Sequence, residues 1–266
     1  MITFSIVTIT YNAEAVLGKT VDSVLAQTYP HVEHIIVDGA SKDATVAVAE
    51  DYKRRSDAAC NGHAIIISSE PDNGLYDAMN KGLARVSGGY VLFLNAGDFF
   101  PRPSVLSEIV RSAALDNIPK GQLPAVLYGN TDVVDNDGNF LFRRRLQPPE
   151  KLSWRSFRHG MLVCHQAFYA RVDIAKDIAY NCDYRYSADV DWCIRVMKEA
   201  ERHRLPLHNL HAVVVNYTEE GQSTIHHKDS LRERYRVMCC HYGNVSTFFM
   251  HLWFAVRLLY NKINKV

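Results

Sequence analysis

The sequence predicts an α/β fold: a mostly parallel central sheet with helices on both faces, followed by a C-terminal helical tail. Three observations predict it. Short β-branched runs recur at FSIVTI, HIIV, AIIIS, YVLFLN and AVLY, each apolar almost throughout, as strands covered on both faces are. Segments with helical spacing separate the first four runs. A polar cluster, TYN, DGAS, SEPDNG or NAGD, follows directly on each of those four.

After the first run, Leu17, Val21, Val24 and Leu25 recur at i, i+4, i+7 and i+8, one stripe of a helix. After the second, Ser41 is a candidate N-cap, with Asp43 in the first turn where the helix dipole favours an acid. After the third, Leu75, Met79 and Leu83 form another stripe. Strand and helix alternating in this way imply right-handed crossovers, with ligands bound beyond the carboxyl ends of the strands. The four polar clusters therefore converge on one edge. Beyond Pro101 the alternation weakens, and residues 127–134 and 139–145 read as a hairpin closed by NDG, which adds mixed structure to the same sheet.

At 266 residues with 47% hydrophobic content, the chain can bury a substantial core. Its 30 basic and 29 acidic residues give a net charge of +1, so the field that nucleic-acid binding needs is absent. The six cysteines show no CxxC pair or zinc spacing and read as reduced thiols in a cytoplasmic protein. MITFSIVTIT has no basic n-region and reads as a first strand rather than a signal peptide. The segment 245–266 concentrates Phe248, Phe249, Leu252, Trp253 and Phe254 ahead of Lys262 and Lys265. It is too short and interrupted to span a bilayer. It suits a peripheral helix at the inner face of a membrane, or a helix packed on its own domain or in a homodimer.

Two acids stand out. Asp98, just past a buried strand and three residues after Asn95, offers the hard oxygen that Mg²⁺ or Mn²⁺ prefers. One protein carboxylate suffices when a diphosphate supplies further ligands; a turn capped by its own Asn and Asp is the plainer alternative. Asp189, in SADVDWCIRV, falls in the first turn of a helix if that segment is helical, and a dipole-stabilising acid would look the same.

The stretches TITYNAEAVLGKTVDSVLAQTYPHVEHIIVDGASKDAT, SEPDNGLYDAMNKGLARVSGGYVLFLNAGD and SADVDWCIRV fall in the order and spacing of the family 2 glycosyltransferases. The chain resembles that family densely over residues 4–100 and thinly over 160–225, through CHQAFY, SADVDW and EEGQS. The resemblance implies a GT-A-like fold and inverting, metal-dependent hexosyl transfer from a nucleotide-diphosphate sugar, a UDP-sugar above all, to a saccharide or lipid-linked acceptor in polysaccharide or glycolipid biosynthesis. It divides the chain into a nucleotide-sugar-binding half (1–100), an acceptor-side half (101–225) and the tail (226–266).

Residue by residue, the resemblance puts Tyr11 against the base and Asp38 at base or ribose. It assigns Asp72, Asp77, Asn80, Lys81, Asn95 and Gly97 to the donor, Asp98 to a divalent cation, and His165, Gln166 and Asp191 to the acceptor side. Asp189 is then the general base. His226 or His227 is a candidate further metal ligand, and Arg143, Arg144 and Arg145, with Arg155 and Arg158, are candidates to receive an anionic acceptor. The chain departs from the family where acids are common: Gly39, Asn95, Gly97 and Ala188 stand in their places. That motivates a rival expectation, a catalytically impaired nucleotide-sugar-binding or scaffold protein of a glycan-assembly complex. A sugar nucleotidyltransferase should carry an early Gly-rich loop with a basic residue, and TITYNAEAV has neither.

Overall fold

The computed structural model describes the backbone of residues 1–218 and 227–263. Strands β1 (Phe4–Thr10), β2 (Val32–Asp38), β3 (His63–Ser69) and β4 (Tyr90–Phe93) alternate with helices α1 (Glu14–Leu25), α2 (Thr45–Ala59) and α3 (Leu75–Arg85). β1 and β2 are buried at every position, which explains why their sequences lack polar alternation. These strands pair in parallel in the order β3-β2-β1-β4. Moving outward twice and then returning, right-handed crossovers place α1 and α2 on one face and α3 on the other.

The second half extends the same sheet. β5 (Val126–Val134), β6 (Phe140–Arg143) and β7 (Phe168–Arg171) complete the order β3-β2-β1-β4-β7-β5-β6, with β7 antiparallel to both β4 and β5. β8 (Leu207–Thr218) pairs in parallel with β5 off that line. Two reversals make β5 and β8 run in the same direction as β4. The end of β8 therefore arrives at the edge where β1 to β4 end, and a bridge between Phe99 and Asn216 ties it there. The expected hairpin forms, with Gly138 at φ +90° in its turn.

The remaining helices are α4 (Val105–Ser112), α5 (Val172–Ala175), α6 (Ala188–Arg202), α7 (His227–Tyr242) and α8 (Asn244–Ile263). Two expectations need correction. α2 starts at Thr45, not after Ser41, because Ser41 donates its hydroxyl and amide to Asp38 while Asp43 accepts from the Thr45 amide. The tail is not uniform either. α7 packs into the body through buried Val237 and Met238, and its Tyr242 stacks on Trp154 at 5.7 Å. α8 by contrast exposes Val245, Phe248, Phe249, Leu252, Trp253 and Val256. Among the described residues no helix is long and apolar enough to cross a membrane.

Candidate active site

The loop after β4 turns tightly. Asp98 donates its amide to the Asn95 carbonyl, and Gly97 sits at φ +98°, where a side chain would be strained. Thr20 on α1 fixes the turn by accepting from the Gly97 amide at 2.9 Å and donating to the Asp98 carbonyl at 2.8 Å. The Asp98 side chain is thereby aimed inward, and the residue is 5% exposed.

Both Asp98 carboxylate oxygens have a donor. Oδ2 accepts from Gln166 Nε2 at 2.8 Å and Oδ1 from the Thr218 amide at 3.0 Å. Burial dominates nonetheless and pushes the carboxyl up to about 7, against the pull of those two bonds. The neighbouring Asn95 Oδ1 is buried without a hydrogen-bond partner. A buried amide oxygen lacking a donor, in the same turn as a carboxylate that burial penalises, is donor chemistry that fits a hard divalent cation, since a cation would favour the ionised acid. Among the described residues no group of three or more His, Cys, Asp or Glu gathers. His226 and the His227 side chain lie outside the described residues.

Ser187 occupies the N-cap position of α6, which puts Asp189 in the first turn, and Asp189 Oδ1 accepts from the Tyr76 hydroxyl at 3.2 Å. Tyr76 stacks on Tyr180 at 5.8 Å, the Tyr180 hydroxyl meets His165 Nε2 at 2.8 Å, and the next residue, Gln166, reaches Asp98. These contacts join the two acids; burial chiefly raises the nearby Cys164 thiol, with the Arg144 charge opposing and the Asp98 and Asp189 charges adding to the rise.

His165 is itself buried and stacked on Phe93 at 5.2 Å. Burial lowers it to about 4, with the Asp189 charge opposing, so it is a neutral wall of the site at working pH. Asp191, two residues beyond Asp189, faces elsewhere. It pairs with Arg195 at 2.7 Å and with His241 at 2.8 Å, fastening α7 to α6. Burial would raise Asp191, but His241 and Arg195 outweigh it and the net shift is downward.

Just beyond β1, Tyr11 is 64% exposed. A Cβ at Gly39 would stand 2.5 Å from Asp72 Oδ2 and 3.3 Å from the Tyr11 ring. The absence of a side chain at 39 thus gives Asp72 the room in which a second acid after β2 would stand. Asp38 is 1% exposed, and its carboxylate accepts from Thr10, Ser69 and, twice, Ser41. Burial raises its carboxyl, but these bonds together lower it. Asp38 therefore braces the loops and leaves Asp72 as the acid beside Tyr11.

The polar face of α3 is likewise occupied by the chain itself. Asp77 accepts from the Asn73 amide at 2.9 Å, and Lys81 donates to the Pro71 carbonyl at 2.7 Å. Asn80 grips both backbone groups of Tyr180, at 2.7 and 3.0 Å. Sequence reasoning missed this use of Asn80, the contact of Tyr76 with Asp189, and the Thr218 amide on Asp98. Arg144 likewise donates to the Leu162 and Met161 carbonyls rather than standing free.

Comparison with known proteins places this edge in a family. A PGL/p-HBAD biosynthesis glycosyltransferase of Mycobacterium tuberculosis is 33% identical over 232 residues, covering 86% of this chain and 82% of that protein. A putative teichuronic acid biosynthesis glycosyltransferase of Bacillus subtilis is 38% identical over 105 residues, 40% of each chain. Among solved structures, S. aureus TarS 1–349 in complex with UDP-GlcNAc aligns at a TM-score of 0.68 with 17% identity, over 88% of this chain and 65% of that one. A Pyrobaculum calidifontis mannosyltransferase in complex with GDP-Man and Mn²⁺ aligns at 0.62 with 15% identity, over 94% and 70%. Both share the GT-A-like fold. The glycosyl transferase family 2 model itself matches residues 5–178, the stretch that builds β1 to β4 and both sides of the Asp98 loop, and this chain belongs to that family.

Proposed function

We propose that this chain is an inverting hexosyltransferase that moves a sugar from a UDP-sugar to a hydroxyl of a saccharide or lipid-linked acceptor during polysaccharide or glycolipid assembly. The observation that carries the proposal is the chain of contacts joining two acids, Asp98 and Asp189, through Gln166, His165, Tyr180 and Tyr76.

In this reading Asp189 takes the proton of the acceptor hydroxyl as its oxygen bonds to the anomeric carbon. The bond from that carbon to the donor phosphate breaks, and its electron pair leaves with the nucleoside diphosphate. Attack and departure on opposite faces invert the anomeric centre, as in inverting glycoside hydrolysis. Asp98 and Asn95 Oδ1 would hold a divalent cation, Mn²⁺ or Mg²⁺, which when bound supplies positive charge against the leaving diphosphate. Tyr11 stacks on the base, and Asp72 accepts from its imino N–H, a group that uracil carries.

To test this, the protein is mixed with Mn²⁺ and a panel of UDP-, GDP- and ADP-sugars. Slow nucleoside diphosphate release from a UDP-sugar is expected, with calorimetric UDP binding that Asp72→Asn weakens. Release from no donor overturns the proposal, and UDP binding without release on any acceptor favours the scaffold alternative instead.

We further propose that α8 lies on the inner face of an anionic membrane. Its exposed Phe248, Phe249, Leu252 and Trp253 suit the headgroup level, and residues 244–263 include Arg257 and Lys262 but no Asp or Glu. Flotation with anionic vesicles is expected and is lost in the Phe248→Ser, Phe249→Ser double variant. Equal flotation of both proteins, or of neither, contradicts the assignment, and a dimer by light scattering that the double variant dissolves assigns the face to a second copy.

A further inference from the structure

Resting on the assignment of Asp189 as base, we infer that Tyr76 is the positioning residue that holds the Asp189 carboxylate in its working orientation and ties it to the donor-side helix. A carboxylate rotates about a broad, two-fold torsion, so an Asp in the first turn of a helix is not fixed by its backbone alone. Among the described residues one side chain hydrogen-bonds that carboxylate: the Tyr76 hydroxyl, 3.2 Å from Oδ1. With Oδ1 engaged, the other oxygen remains for the acceptor's proton.

The hydroxyl is well placed to stay a donor. Burial first, and then the Asp189 charge, push the Tyr76 phenol well above its usual value, so it keeps its proton wherever the enzyme works. It is therefore not itself a base. The other ionisable groups around the pair differ in kind. Cys164, partly buried, and Cys193, fully buried, are thiols raised chiefly by desolvation, and the Tyr180 phenol is raised in the same way. His165 is held neutral by burial, and Glu233 on α7 contributes a distant negative charge to Tyr76. The Glu233 carboxylate is occupied by the Arg185 and Tyr186 amides, at 2.7 and 2.6 Å. None of these hydrogen-bonds Asp189, so the orientation falls to Tyr76.

Two stacks make the position rigid. Tyr76 lies 15° from parallel to Tyr180 at 5.8 Å, and Tyr180 lies 12° from parallel to Trp192 at 4.9 Å. Trp192 follows Asp189 by three residues on α6, and its indole donates to the Ile178 carbonyl at 2.7 Å. Asn80, one turn after Tyr76 on α3, clamps the Tyr180 backbone. α3 thus grips the segment before the base helix at two points one turn apart. The same α3 begins where Asp72 and Asp77 fold the 70–74 loop beside Tyr11, at residues assigned to the donor. Displacement of that loop would be carried to the base through Tyr76.

Tyr76→Phe keeps both stacks and removes only the hydroxyl. Expected results are a fall in kcat of about tenfold, the scale of one hydrogen bond to a charged group, an unchanged donor KM, and an acid limb of the pH–rate profile moved to higher pH, with thermal stability retained. An unmoved limb with wild-type kcat makes Tyr76 a packing residue and overturns the inference. An unfolded Tyr76→Phe would also overturn it, because the hydroxyl would then hold the fold rather than the orientation of Asp189. Asp189→Asn separates the two claims. If it keeps wild-type turnover, the base assignment fails and this inference with it; if it is inactive while Tyr76→Phe is silent, only the inference fails.

Discussion

Asparagine in place of Asp189 lowers kcat by roughly 10²–10⁴-fold, the range general-base catalysis supplies, and leaves UDP binding unchanged. The substitution is close to isosteric and its amide oxygen can still accept from Tyr76, so the site keeps its shape. What it loses structurally is a negative charge in the first turn of α6, worth about 0.3–1 kcal/mol at a helix N-terminus. A cost that small cannot unfold the protein. Steady-state kinetics beside UDP calorimetry measure the separation: a loss of turnover and of UDP affinity together would mean that Asp189 shapes the donor site instead.

The second large effect concerns stability rather than rate. In the folded protein without added metal, the Asp98 carboxyl holds its proton up to about 7, against an ordinary value of 3.8. Between those values Asp98 binds more protons in the native state than in the unfolded chain, so its contribution to stability falls as pH rises through the window. Buried His34 and His165, lowered to about 3 and 4, act in the opposite sense but are common to both proteins compared below. For a fully buried carboxyl the loss amounts to about 4 kcal/mol. Asp98→Asn carries no ionisable group and should lack this decline. Glu108, which Arg102 and Ser104 hold down to about 2 from 4.5, acts in the opposite sense mostly below this window and is present in both proteins, so it cancels in the comparison. Denaturant unfolding of both proteins in chelator at pH 4, 6 and 8 should show wild type losing stability relative to Asp98→Asn at each step. Parallel curves would show that Asp98 is ionised in the native state throughout.

Most of the parallel half was legible because β1, β2 and β4 are buried throughout and so read as largely apolar runs with polar clusters beyond their ends; the edge strand β3 is the exception, with Ala64 and Ile66 exposed. β8 was not. LHNLHAVVVNYT mixes polar and apolar residues, and its register slips twice against β5. The contribution of Thr218 to Asp98 comes from a backbone amide, which every residue but proline possesses, so no residue type could announce it. Tyr76 and Asp189 are 113 residues apart in the chain and meet only through tertiary packing. Asp38 was legible as a strand-edge acid, but its hydrogen bonds to Thr10, Ser41 and Ser69 depend on β1, β2 and β3 lying side by side. Spacing showed which polar clusters converge. The fold decides which of their members face outward and which hold the loops together.

The most direct test of two acids working from opposite faces of one sugar is the anomeric configuration of the first product. Proton spectra recorded during hydrolysis of an α-linked UDP-sugar, before mutarotation, should show the β-anomer appearing first. The α-anomer appearing first would mean a retained configuration, and a single displacement with Asp189 as base could not produce it.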